Sequence, residues 1–159
     1  MTSTQPFVVG APGARPGPWR VIAGGDRTGG AVVLGDADIP PRSPGPGRHV
    51  HTHEDEAVYV VSGVLSLQVG DRRFDAGPQT LVWLPRGVPH VFANLTDEPV
   101  RTFGVITPAG LEGFFAEQAA YFADLNGPPD VAALHAMSAR YGIHPVGGPP
   151  LAPLLGGRG

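Results

Sequence analysis

Four residues able to ligate a metal lie in two short segments of this chain: His49, His51, Glu56 and His90. The segments are PGRHVHTHEDEAVYVVSG (46–63) and LPRGVPHVFAN (84–94). The first reads His-x-His, four residues, Glu, six residues, Gly63; the second reads Pro85-x-Gly87, two residues, His90, three residues, Asn94. Imidazole nitrogens with a carboxylate suit a divalent transition ion such as iron, manganese, nickel, cobalt or copper. Around a six-coordinate ion, four protein ligands leave positions open for water, dioxygen or substrate. The plain alternative is that each histidine is a strand residue with a local polar partner, and His-x-His alone is a frequent accident. The complete second segment weighs in favour of a metal site.

The spacing asks for strands. Side chains two apart on a strand share a face, so His49 and His51 can aim inward together. Residues 52–55 are short and polar, as a turn requires, and Glu56 opens the β-branched run Val58-Tyr59-Val60-Val61. His90 follows the turn signal Pro85-Arg86-Gly87 and leads into Val91-Phe92. Further strands are expected at 19–23, 31–34, 64–69, 72–74, 80–84 and 100–106, with Gly70-Asp71 as a hairpin turn. GGDRTGG (24–30) lacks the lysine of a phosphate loop and is read as a turn. Many short strands at close intervals imply an all-β sandwich or barrel. Beyond Pro108 the pattern changes. Leu111, Phe114, Phe115, Ala119 and Phe122 recur at helical spacing, as do Val131, Leu134 and Met137 in a second helix. That second helix starts at Pro129-Asp130 and is capped by Gly142. The aromatic stripe is read first as packing against the barrel, with a substrate-lining role as the alternative.

At 159 residues the chain is long enough for one domain with a real core and too short for two ordinary ones. The expected organisation is an arm at 1–18, a barrel at 19–107, helices at 108–143 and a Gly/Pro-rich tail at 144–159. A net charge of −3 gives no electrostatic case for nucleic acid or for an anionic membrane. All eleven basic residues are Arg, which excludes Schiff-base chemistry on lysine, and the absence of Cys excludes thiol nucleophiles, disulfides and cysteine-based zinc sites. The N-terminus shows no basic region followed by an apolar stretch of secretory length, and no run approaches eighteen apolar residues, so a cytoplasmic protein is expected.

The two segments resemble the paired signature motifs of the cupin superfamily, in the expected order. Within it, HVHTHEDEAVYVVSG and PRGVPHVFAN resemble small bacterial quercetin 2,3-dioxygenase-like cupins, as do the PAGLEGFFAE helix start and the late YGI…GPP stretch. Ser43 stands where the family motif usually begins with Gly. The resemblance implies a jelly-roll barrel (double-stranded β-helix) carrying two C-terminal α-helices, in a single-cupin chain. It implies His49, His51, Glu56 and His90 as metal ligands, and it leaves His53 an extra histidine expected in solvent. The implied chemistry is cleavage of a flavonol-like or other enolic or phenolic substrate by dioxygen, with Glu56 both ligand and general base. Val58, Val60, Trp83 and Phe92 are the candidates by position for holding a planar ring. Non-oxidative cyclase, isomerase or lyase chemistry, and ligand binding without catalysis, are the competing readings, because one fold hosts unrelated functions. By analogy with such cupins a homodimer is expected, with a small-molecule substrate and dioxygen as partners.

Overall fold

The computed structural model describes residues 5–9, 19–148 and 151. The rest of the expected N-terminal arm and of the expected tail lies outside the described residues. In chain order the elements are β1 (Arg20–Ala23), α1 (Gly25–Thr28), β2 (Val33–Ile39), β3 (His49–His51), β4 (Asp55–Ser62), β5 (Leu65–Val69) and β6 (Arg72–Ala76). There follow β7 (Thr80–Leu84), β8 (His90–Ala93), β9 (Val100–Thr107), α2 (Glu112–Ala123), α3 (Val131–Arg140) and β10 (Ile143–Pro145).

The strands form two five-stranded antiparallel sheets, ordered β1-β2-β9-β4-β7 and β10-β3-β8-β5-β6. This is the mainly β, two-sheet arrangement with C-terminal helices that the resemblance implied. Period-two alternation decides which side chains meet between the sheets. Along β9, Val100, Thr102, Gly104 and Ile106 face in, and their partners on β4 are Val60, Val58 and Glu56, opposite Thr102, Gly104 and Ile106. One core cluster joins Ile39, Val58, Val60, Val82, Leu84 and Val100 of the first sheet to Leu65, Leu67 and Ala76 of the second. Another packs Val33 and Ile106 under Leu111 and Phe114 of α2, Met137 of α3 and Ile143 of β10. Gly63 makes the tight link from β4 to β5 at φ +79°, and a Cβ there would sit 2.5 Å from the Pro99 carbonyl, so only glycine fits.

Three expectations need correction. GGDRTGG is not a plain turn, because Gly25–Thr28 close one helical turn, α1, ended by left-handed Gly29. Glu112 supports that turn by accepting the Gly25 N–H at 2.8 Å. In the helices, Ala119, Phe122 and Val131 are exposed rather than part of a buried stripe. α2 docks through Phe114, Phe115 and Tyr121, and Tyr121 also takes the Asp130 N–H on its hydroxyl. His144 and Pro145, expected in the tail, sit instead in β10, which pairs with β3 because Val50 and His51 leave an edge to cover. Asp130 caps α3 as expected, its carboxylate accepting from Ala132 and Ala133 N–H, and Gly142 follows the C-cap Tyr141 at φ +69°. Among the described residues no helix is long and apolar enough to cross a membrane.

Candidate metal centre

His49 and His90 are direct cross-strand partners on β3 and β8, so their rings meet with centroids 4.6 Å apart. His51 lies two residues along β3 on the same face. Glu56 comes from the opposite sheet, on the inward row of β4 between Leu84 and Ile106. The three imidazoles and the carboxylate therefore meet in the space between the sheets. Their ligand atoms all lie within 4.8 Å of one another. His49 Nε2 is 3.1 Å from His51 Nε2, and Glu56 Oε2 is 3.5 Å from His51 Nε2 and 3.3 Å from His90 Nε2.

Hydrogen bonding on the far side of the rings decides what the near side offers. His49 Nδ1 is 2.7 Å from the Gly47 carbonyl and His90 Nδ1 is 3.0 Å from the Val88 carbonyl. A carbonyl oxygen only accepts, so both Nδ1 atoms donate and both Nε2 atoms present bare lone pairs. His90 Nε2 is buried without a hydrogen-bond partner. Lone pairs and a carboxylate aimed at one point repel each other unless a cation lies between them. The donor set therefore fits a divalent transition ion, which His49, His51, Glu56 and His90 would hold.

Electrostatics agree with that arrangement. Burial pushes the His51 imidazole down to about 4, and burial followed by the neighbouring His90 lowers His49. Both rings are thus neutral and ready to ligate at neutral pH. Burial alone would raise Glu56, but the close His90 and His51 rings outweigh it and hold the carboxyl below its ordinary range. Burial raises Glu54 above the usual carboxylate value.

The second segment anchors the first. Gly87 N–H donates to the His51 carbonyl at 2.8 Å, and Arg86 binds Asp55 through its backbone N–H and its Nη2, each at 2.8 Å. Asn94 is fully buried and ties three turns together, donating to the carbonyls of Ile39, Pro40 and Glu98 and accepting from Thr96. His53 is exposed on the turn, lies against Gly142 and stands outside the ligand cluster.

The four expected wall residues divide. Val58 and Val60 share the inward row of Glu56 but are locked into the core, Val60 with no exposed surface. Phe92 shares the inward face of His90 and packs half-buried against that core. Trp83 does not line the interior. It pairs with Ala57 while its neighbour Leu84 pairs with Glu56, so alternation sends the indole outward, 52% exposed. The tryptophan on the inner face is Trp19, which sequence reasoning missed. It lies over Gly35 and Gly104, where added Cβ atoms would come within 2.4 Å and 3.2 Å of the indole. Two glycines in register inside paired strands are the signal that marked such a close approach. The groove between α2 and α3, lined by Glu117, Tyr121, Asp124 and Met137, shares no residue with the ligand cluster.

Comparison with known proteins agrees with the fold. Residues 35–106 match the cupin domain model. No curated protein matches the sequence. Among solved structures, KdgF from Halomonas sp. is similar at 15% identity and a TM-score of 0.52, over 60% of this chain and 81% of that one. A protein from Thermus thermophilus is similar at 21% identity and a TM-score of 0.52, over 60% and 90% of the two chains. A predicted oxalate decarboxylase from Thermotoga maritima is similar at 16% identity and a TM-score of 0.54, over 57% and 78%. At these identities the likeness is one of fold. The two-sheet barrel thus has the cupin fold, and the match to the cupin domain model lies within it.

Proposed function

We propose that this protein is a divalent-metal-dependent enzyme that oxidises an enolic or phenolic small molecule, flavonol-like in character, with dioxygen. The observation that carries the reading is the convergence of three imidazoles and one carboxylate within 4.8 Å between two sheets. A divalent ion held there would supply Lewis acidity, stabilising the anion of a hydroxyl-bearing substrate. Glu56 is the group placed to take the hydroxyl proton, because its carboxylate is ionised and its side chain is 16% exposed while His51 and His90 are sealed at 4% and 1%. The deprotonated, electron-rich ring is what dioxygen would oxidise. Phe92, on the inward face of β8 that carries His90, is the aromatic side chain that would orient such a ring.

Oxygen uptake across a panel of flavonols and other enolic aromatics tests the reading. Product should form only while dioxygen is consumed, and turnover that persists anaerobically would replace oxidation with cyclase, isomerase or lyase chemistry. Glu56→Gln should abolish turnover more severely than it lowers bound metal. Equal loss of both would make Glu56 a ligand alone.

The proposal includes a homodimer. The outer face of the first sheet carries Tyr59, Val61, Leu81 and Trp83, all exposed large apolar side chains on the neighbouring strands β4 and β7. A second copy of the same face is the occupant that matches an apolar patch of this kind.

A further inference from the structure

Each imidazole of the cluster has a second nitrogen facing away from the meeting point, and each needs an acceptor. His49 and His90 use the carbonyls of Gly47 and Val88. His51 does not follow them. Its Nδ1 faces the Glu54 carboxylate, with Oε2 at 3.8 Å, beyond hydrogen-bond length. Both atoms are buried and neither has another hydrogen-bond partner among the described residues. His51 is 3% exposed and Glu54 7%, although the adjoining Thr52 and His53 are exposed. Glu54 is therefore turned inward from a polar turn, under Gly110, whose added Cβ would lie 3.8 Å from Oε1. Glu54 Oε2 is withdrawn from water without a hydrogen-bond partner, which is costly, and His51 Nδ1 at 3.8 Å is a donor within reach of it.

We propose that Glu54 is a positioning residue for the metal centre: its carboxylate accepts the Nδ1–H of His51 and fixes that ring with Nε2 toward the cation. Closing the gap takes a shift of under about 1 Å to reach ordinary hydrogen-bond length. A carboxylate acceptor makes an imidazole a stronger donor to metal than a carbonyl does. Charge balance points the same way. A divalent ion with three neutral imidazoles and Glu56 leaves one positive charge in a buried space, and Glu54 neutralises it. The inference rests on the metal-binding reading but not on oxidation.

Co(II) is the probe for the test, titrated calorimetrically into the full metal-free chain and into Glu54→Gln and Glu54→Leu. Leu should weaken Co(II) by about 10- to 100-fold, and Gln, whose amide oxygen still accepts, should fall between Leu and the unaltered chain. In the Zn(II)-loaded protein with 15N-labelled histidine, the Gln variant should move the Nδ1 resonance of His51 and leave those of His49 and His90 in place. Should Leu fail to fold, the Gln titration and its resonances decide alone. Equal Co(II) affinity in Gln and unaltered protein, or all three Nδ1 resonances moving together, would overturn the inference. Absence of Co(II) binding by the unaltered chain would overturn the metal centre and this inference with it. Graded loss across the variants supports it whether or not the protein consumes oxygen.

Discussion

Burial holds the His51 imidazole at about 4, with the nearby Glu56 opposing and His49 and His90 assisting. In the unfolded chain the same group titrates near 6.5. Between those values the unfolded state binds a proton that the folded state refuses, so stability falls as the pH falls through this window. For a ring this deeply buried the loss reaches about 3 kcal/mol at the lower end, and His49 adds to it in the same direction. The metal-free protein should therefore show a Tm that is flat above neutrality with respect to these groups and drops on acidification from pH 6.5 to about 4. His51→Gln should flatten that profile. An unchanged slope in the variant would show that another group governs acid sensitivity. The cluster of His49, His51, Glu56 and His90 was readable from sequence, because His, His, Glu and His at strand spacing, followed by the second segment, rarely fall together by accident. Glu54 was not, since a charged residue in HEDE reads as solvated turn until burial shows it facing His51. Trp83 misled for a different reason. The run TLVWL is apolar at Leu81, Val82, Trp83 and Leu84, so alternation carries no hint of which face is inside.

At the scale of elements, the turns that hold the motifs are themselves held by a few buried polar side chains. Asn94 is the chief of these, with its amide nitrogen shared among three carbonyls at 2.8–3.2 Å and its oxygen accepting Thr96 N–H at 3.0 Å. Asn94→Ala strands these carbonyls away from water and should cost about 3 kcal/mol in chemical denaturation. Asn94→Asp has nearly the same shape but no donors, and it faces carbonyl oxygens with negative charge, so it should be at least as damaging. Tolerance of Asp would reduce Asn94 to a space-filling role. Strand positions were legible because each lies between turn residues, as in Gly70-Asp71 and Pro85-Arg86-Gly87. Three features escaped. α1 depends on Glu112, eighty-seven residues away, receiving the Gly25 N–H. β10 exists only because β3 offers an edge. The end of the α2 stripe failed because Tyr121 takes the core-facing position there and leaves Ala119 and Phe122 exposed, which spacing alone does not reveal.

For the whole molecule, the outward side of the first sheet sets the expected association. Rows cross the sheet from Trp83 to Ala57 to Val105 to Leu34, and from Leu81 to Tyr59 to Phe103, so the apolar surface continues over four strands. Leu81 is 63% exposed, Trp83 52%, Val61 46% and Tyr59 37%. Together they present on the order of 400 Å² of apolar area, within the range at which an exposed patch marks an interaction surface. A stable dimer buries about 800 Å² per partner, so this patch supplies the apolar centre and the flanking Phe103 and Val105 extend it. The helices and the ligand cluster lie elsewhere, which separates assembly from chemistry. Light scattering at tens of micromolar should therefore give twice 16.5 kDa for the unaltered chain. Trp83→Glu places a charge within the patch and should return a monomer with Co(II) affinity unchanged. A monomeric unaltered chain would sink the dimer, and a dimeric Trp83→Glu would move the interface off this sheet.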